Sequence, residues 1–316
     1  MKSYPQIFRA FYGEPIALEE GMMLSIHGFL WPRFTGAVND PVFSTEAAQK
    51  DQPAPASNRM GGGMAHMRRQ MAAPEMVSNG PYSPSTIVDP RYYWSADGRA
   101  DVAVIPVNGM LTKGAGTFSE MCMGAVNPDR ISHALGQAIA AREVKTIVFD
   151  GNSPGGRTAF MPELAAQIRE AAQTRGKTLY WFSDEMTASA AMWLASQCNE
   201  CIITPSAQLG SIGTYLAFLN PKIAMQTAGY TLEMFSQGTH KGIGLPGRDL
   251  SQADRAYLQA IVDKANAGFL ADVKLGRPKA SEEALRDAKV YDGPDAVKHG
   301  LADGLATSWD DFLSLL

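Results

Sequence analysis

The chain has 316 residues, 45% of them apolar, enough for one large domain or two small ones around a sizeable core. With 28 Lys and Arg against 32 Asp and Glu, the formal net charge is −4. That balance disfavours a nucleic-acid partner, because phosphate binding needs clustered cations. Three cysteines do not make a disulfide framework, and Cys198 and Cys201 form a lone CxxC, half of what a structural zinc site needs. Neither a metal nor a cofactor is expected.

Met1 to Glu20 lacks the apolar core of a signal peptide, and no stretch reaches the roughly 20 apolar residues that span a bilayer. A cytoplasmic protein without a membrane partner is the expectation. Residues 1–43 read as a short accessory segment. Ile7, Phe8, Phe11 and Tyr12 share one helical face, and Leu18 to Leu30 suits a second helix. Residues 44–95 are rich in Ala, Pro, Gly, Gln, Asn and Ser, and read as a flexible linker. Met60, Met64, Met67, Met71 and Met76 lie in it at near-helical spacing, which suits adaptable docking as well as plain disorder.

Residues 96–306 alternate strand and helix. Strands are expected at Val102–Val107, Thr146–Asp150, Thr178–Phe182, Cys201–Thr204 and Tyr230–Phe235. Helices are expected at Ile131–Ala141, Ala159–Gln173, Ala188–Gln197 and Ser251–Val273, with a turn at Gly210–Gly213. This order implies an α/β fold with parallel strands and crossover helices. Residues 307–316 are left as a C-terminal tail.

Three segments carry chemistry. Ser189 opens an almost wholly apolar helix, where backbone N–H groups are free and the positive end of the helix dipole favours an alkoxide. The N–H of Ala190 would then stand beside an attacked carbonyl. A serine here also serves as an ordinary helix cap. Gly155 and Gly156, in Asn152-Ser153-Pro154-Gly155-Gly156, follow a buried strand and let another backbone approach closely. Without a ligand they are simply a tight turn. Lys241 lies in the Gly-rich run Gly238-Thr239-His240-Lys241-Gly242, and is a base only if burial keeps it neutral. His240 is the rival base, through a Ser-His-Asp arrangement.

In this order the segments resemble the signal peptide peptidase A family of serine peptidases, in the Clp-protease/crotonase superfamily. The resemblance runs from about Val102 to Leu305. It rests on Asn152–Gly156, on Ser189-Ala190-Ala191, on Leu209-Gly210-Ser211-Ile212-Gly213, and on Ser236–Lys241 with one residue inserted. The tail from Val290-Tyr291-Asp292-Gly293 to Gly300-Leu301-Ala302-Asp303 completes it. Ala191 departs from the glycine common in the family. The run from Ile7 to Ile16 and the Gly-Thr-His-Lys stretch resemble the family's phage branch, the head maturation proteases of minor capsid protein C type.

The resemblance implies a spiral of ββα units and an ATP-independent serine endopeptidase. Its nucleophile is Ser189, its base Lys241, its base-orienting residue Ser211, and its oxyanion and substrate N–H groups those of Gly155, Gly156 and Ala190. It further implies protein substrates among scaffold and capsid proteins, work inside an assembling phage head in the host cytoplasm, and a homo-oligomer whose neighbours complete each other's sites. A catalytically silent scaffolding protein of the same fold, a bacterial peptide-degrading relative and an acyl-CoA enzyme are the alternatives. The last leaves Ser189 and Lys241 without a role.

Overall fold

The computed structural model describes residues 16–18, 92–96, 98–114 and 125–316, the first three through their backbone. The linker at 44–91, the methionine series and most of the accessory segment therefore lie outside the described residues.

In chain order the elements begin with β1 (Ile16–Leu18), β2 (Trp94–Ala96), β3 (Arg99–Asn108), β4 (Met110–Leu111), β5 (Ala125–Val126) and α1 (Pro128–Ala140). Next come β6 (Thr146–Asn152), β7 (Gly155–Arg157), α2 (Met161–Thr174), β8 (Thr178–Ser183), β9 (Met186–Ala188) and α3 (Ala190–Ala195). Then follow β10 (Glu200–Ile203), β11 (Gln208–Gly210), α4 (Lys222–Thr227), α5 (Gln252–Gly276) and α6 (Glu282–Arg286). The chain closes with β12 (Val290–Asp292), α7 (Gly293–Lys298), β13 (Gly304–Leu305) and α8 (Trp309–Leu315).

The main sheet has six strands in the order β13-β10-β8-β6-β3-β2. All neighbours are parallel except the edge pair β2–β3. Its strands are apolar on both faces, as a sheet covered on both sides requires. From β3 and β6, Ala103, Ile105, Val107, Ile147 and Phe149 point into the larger core with α1, α2 and α3. Val102, Val104 and Val148 point the other way, to Phe182, Ala306 and Phe312. The period of two thus divides each strand between two cores.

Helix α1 starts where the sequence allows it: Asn127 caps it by accepting the Asp129 N–H at 3.0 Å, and Pro128 stands at its first position. Its buried stripe is Ile131, Ala134, Leu135 and Ala138. Helix α5 opens with a capping box between Ser251 and Asp254.

Four regions differ from the sequence reading. The main sheet already begins at Trp94, inside the stretch read as linker, because Trp94 and Ser95 pair with Val104 and Ala103. The stretch read as a C-terminal tail is helix α8, whose Phe312 is fully buried against Phe182 with ring centroids 4.8 Å apart. Tyr230–Phe235 is no strand: Tyr230 and Phe235 are 67% and 94% exposed, and no strand among the described residues pairs with that backbone. At the N-terminus, Ile16–Leu18 forms a strand that takes in Leu18, read as the start of a helix.

Candidate active site

Two small sheets beside the main one build the site. Strands β9 and β11 pair in parallel, Ala188 opposite Gly210, and β12 closes the other edge of β11. The second sheet runs β1-β7-β4-β5. The turn after β6 joins them: Ser153 bridges to Thr187, and the Ala188 N–H donates to the Ser153 carbonyl at 3.0 Å.

Ser189 stands at the sharp step from β9 into α3, with φ 55° and ψ −120°. A positive φ is strained for any residue with a Cβ, and such strain clusters at functional sites. A sharp turn from strand to helix at a serine is also the backbone form of a nucleophile elbow. The strain is held by two backbone bonds: Ser189 N–H to the Gly210 carbonyl at 2.8 Å, and Trp193 N–H to the Ser189 carbonyl at 3.0 Å. Ser189 is 1% exposed, and its Oγ makes no hydrogen bond among the described residues. All six residues of α3 are buried.

Ser211 lies next to that anchor. It too has a positive φ, 53°, and its N–H donates to the Lys289 carbonyl at 2.8 Å. The two serines thus end the paired strands β9 and β11 side by side. Gly210 is needed there: a Cβ would meet the Lys289 carbonyl oxygen at 2.3 Å, at φ 130°.

Of the three N–H groups expected at the oxyanion, that of Ala190 opens α3, while that of Gly155 is held by Ser153 Oγ at 3.2 Å. Gly156 sits between two strands, opposite Ala17 on one side and Leu111 on the other. A Cβ on it would meet the Leu111 carbonyl oxygen at 2.0 Å, so only glycine fits.

Lys241 is placed differently. It is exposed, in a stretch from Gly213 to Ala253 in which no residue is buried. Its backbone N–H reaches the Gly238 carbonyl at 3.1 Å. A single chain therefore brings together Ser189, Ala190, Ser211 and the Gly155-Gly156 strand, and leaves Lys241 unjoined to the serine.

The neighbouring His240 has a partner that sequence reasoning missed. Its Nδ1–H donates to Asp254 Oδ1 at 3.0 Å, and its ring stacks on Tyr257 with centroids 4.6 Å apart. The fully buried Asp254 also accepts from Arg248 Nη2 at 2.9 Å, from the Ser251 N–H at 3.0 Å and from Ser251 Oγ at 2.9 Å. The His240 bond leads, with Ser251 and Arg248, in holding this carboxyl well below the usual carboxylate range. Ser251-x-x-Asp254 is visible as a capping box; the pairing with His240 crosses an irregular segment and leaves no sequence pattern.

Cys198 and Cys201 are buried free thiols, and no cluster of metal-ligating side chains occurs among the described residues. No described helix is long and apolar enough to cross a membrane.

Residues 171–315, which hold Ser189, Ser211 and Lys241, match the model of peptidase family S49. This part of the chain is similar to the peptidase family S49. The chain is 29% identical over 210 residues to the head-tail preconnector protein GP5 of Enterobacteria phage P21, covering 66% of this chain and 41% of that protein. It is 29% identical over 213 residues to capsid assembly protease C of Escherichia phage lambda, covering 66% and 47%. The chain thus spans less than half the length of these curated relatives. Among solved structures, a ClpP1 point mutant from Listeria monocytogenes is similar at a TM-score of 0.41 and 11% identity, over 68% of this chain and 95% of that one. The family resemblance and the α/β class expected from sequence are both met.

Proposed function

We propose that this S49-like domain is an ATP-independent serine endopeptidase with a Ser189–Lys241 dyad that processes scaffold or capsid proteins during phage head maturation. The observation that carries the reading is Ser189 itself, a buried, unbonded hydroxyl on a strained turn at the start of a buried helix. Such strain is costly to keep unless the hydroxyl has work to do. The relatives named as a capsid assembly protease and a head-tail preconnector protein support the substrate class.

In this mechanism Ser189 Oγ attacks the scissile carbonyl while the neutral Lys241 amine takes its proton. The N–H groups of Gly156 and Ala190 receive the oxyanion. Collapse breaks the C–N bond, and the Lys241 ammonium protonates the leaving amine. Water, deprotonated by the same lysine, then releases the acyl group from Ser189. Ser211 orients the lysine.

A second copy of the chain completes the site. Burial is what turns a lysine into a base, and Lys241 rides on a segment whose large apolar side chains are uncovered: Ile223 is 79% exposed, Tyr230 67% and Phe235 94%. Packing that segment on a neighbour would bury both the apolar surface and the lysine.

Cleavage of the cognate scaffold or capsid protein tests the reading. Ser189→Ala and Lys241→Ala are each expected to lose at least about 10⁴-fold in kcat with oligomer mass unchanged. Mixing the two inactive variants restores activity if the dyad forms between subunits. Activity surviving in Ser189→Ala overturns the nucleophile. The His240–Asp254 pair supports one rival: activity surviving in Lys241→Ala but lost in His240→Ala moves the base to His240.

A further inference from the structure

Strand β7 leaves one edge for a substrate, and the chain's own N-terminal strand is on it. On its inner side β7 pairs in parallel with β4, Gly156 opposite Leu111. On its outer side it pairs antiparallel with β1: Ile16 opposite Arg157, Ala17 opposite Gly156, Leu18 opposite Gly155. The Leu18 end of β1 therefore lies at the end of β7 that joins the Ser153 turn, and Ser153 is bonded to Ala188, the residue before Ser189.

A short strand with one free edge takes an extended peptide through main-chain hydrogen bonds. Gly155 and Gly156 add no side chain to obstruct it. The same pair of glycines that admits a peptide beside the nucleophile admits β1, and both cannot pair with one edge at once.

We propose that Ile16–Leu18 is an internal occupant of the peptide edge, which substrates must displace, and that those substrates are extended segments of the same apolar–small–apolar kind. The inference rests on the peptidase reading for the identity of the edge. The small residue of the motif is the one opposite Gly156, where Ala17 now stands. Occupation in cis weakens substrate binding by the fraction of time the edge is covered: an edge covered nine-tenths of the time weakens it about tenfold.

The experiment uses the full chain with Ser189→Ala, so that a bound peptide is not consumed. The probe is a fluorescein-labelled peptide with the sequence of residues 13–20, read by anisotropy. Ala17→Pro, which cannot sustain the strand, is expected to tighten Kd about tenfold. A pair of cysteines at the facing positions, Ile16→Cys with Arg157→Cys, locks β1 in place when oxidised. Oxidation is expected to abolish binding and reductant to restore it, within one protein whose folding is thereby controlled. An unchanged Kd in the oxidised lock overturns the inference, as does absence of binding in every form, Ala17→Pro included.

Hydrolysis is scored separately in the Ser189 chain. Serine-dependent cleavage that the lock does not slow overturns this inference and leaves the peptidase reading intact. No cleavage by any form, with the lock still excluding the peptide, overturns the peptidase reading and leaves the occupied edge.

Discussion

From β6 to β11 the chain is mostly buried, and every residue of the helix that follows Ser189 is inaccessible to solvent; from Gly213 to Ala253 no residue is buried at all. The first region carries the proposed nucleophile, the second the proposed base. A strained serine needs a frame that over-determines its backbone, and the paired ends of β9 and β11 supply one. A lysine base needs burial more than rigidity, and a segment left bare in one chain can receive it from another. The contrast fits the proposed dyad, with one half held in finished form in a single chain and the other half in waiting.

Stability should divide along the same line. Phe149, fully buried and stacked with Trp181 at a centroid distance of 6.0 Å, is expected to cost about 3–5 kcal/mol on replacement by Ala. Phe235→Ala is expected to stay within about 0.5 kcal/mol in urea unfolding of the dissociated chain. In sedimentation, however, Phe235→Ala should weaken subunit association while Phe149→Ala at permissive temperature should not. Similar stability losses from both replacements would break the comparison.

The legible part of the molecule follows from this contrast as well. Strands β3, β6 and β8 and helices α1, α2 and α5 announce themselves, because a two-sided parallel sheet writes continuous apolar runs and its helices write stripes at i, i+3 and i+4. Ser189, Gly155, Gly156 and Ser211 stand in ordered motifs of the sequence, as the proposed site residues. What stayed hidden depends on contacts between distant segments. The last residue of the three-residue β9, Ala188, reads as the start of the helix, and only the pairing with β11 makes β9 a strand. The strain at Ser189 and Ser211 has no sequence signature, since both are ordinary residues. Tyr230–Phe235 has strand composition but no partner strand among the described residues. Helix α8 looks like a tail until the Val102–Val104 face of the sheet is seen to need a cover.

A smaller effect is expected at the root of the base segment. The buried Asp254 carboxylate ties His240 and Arg248, on either side of Lys241, to the first turn of α5. Its folded-state pKa is depressed, so the stability it lends is present above the ordinary aspartate value of about 4 and is lost as pH falls from there through the lower folded value. Asp254→Asn removes the charge at every pH. Amide exchange across residues 238–250 is expected to quicken about tenfold, the scale of one lost charge-assisted hydrogen bond, with β6 and β8 unchanged. Acidifying the wild-type chain below about pH 4 should reproduce that local pattern. Uniform quickening throughout the chain would mean that Asp254 supports the whole fold and not the base segment.

The smallest effect belongs to the closed end of the nucleophile helix. Arg277 is buried there, donating to the Ala195 and Cys198 carbonyls at 3.3 Å each and pairing with Asp303 at 3.3 Å. Burial pushes the Cys201 thiol up to about 12 and Cys198 higher still, against the opposing pull of the Arg277 charge. Unfolded thiols ionise near about 8.5, so between that pH and about 12 the unfolded chain gives up protons that the folded chain keeps. Stability is therefore untouched by these groups at neutral pH and declines as pH rises through that window. Iodoacetamide at pH 8 should leave Cys198 and Cys201 unmodified in the native chain and alkylate both in urea, as peptide mapping would show. Native alkylation at the rate of a free thiol would mean that the frame behind Ser189 opens readily, and the contrast between a closed nucleophile and an open base would fail at its firmer end.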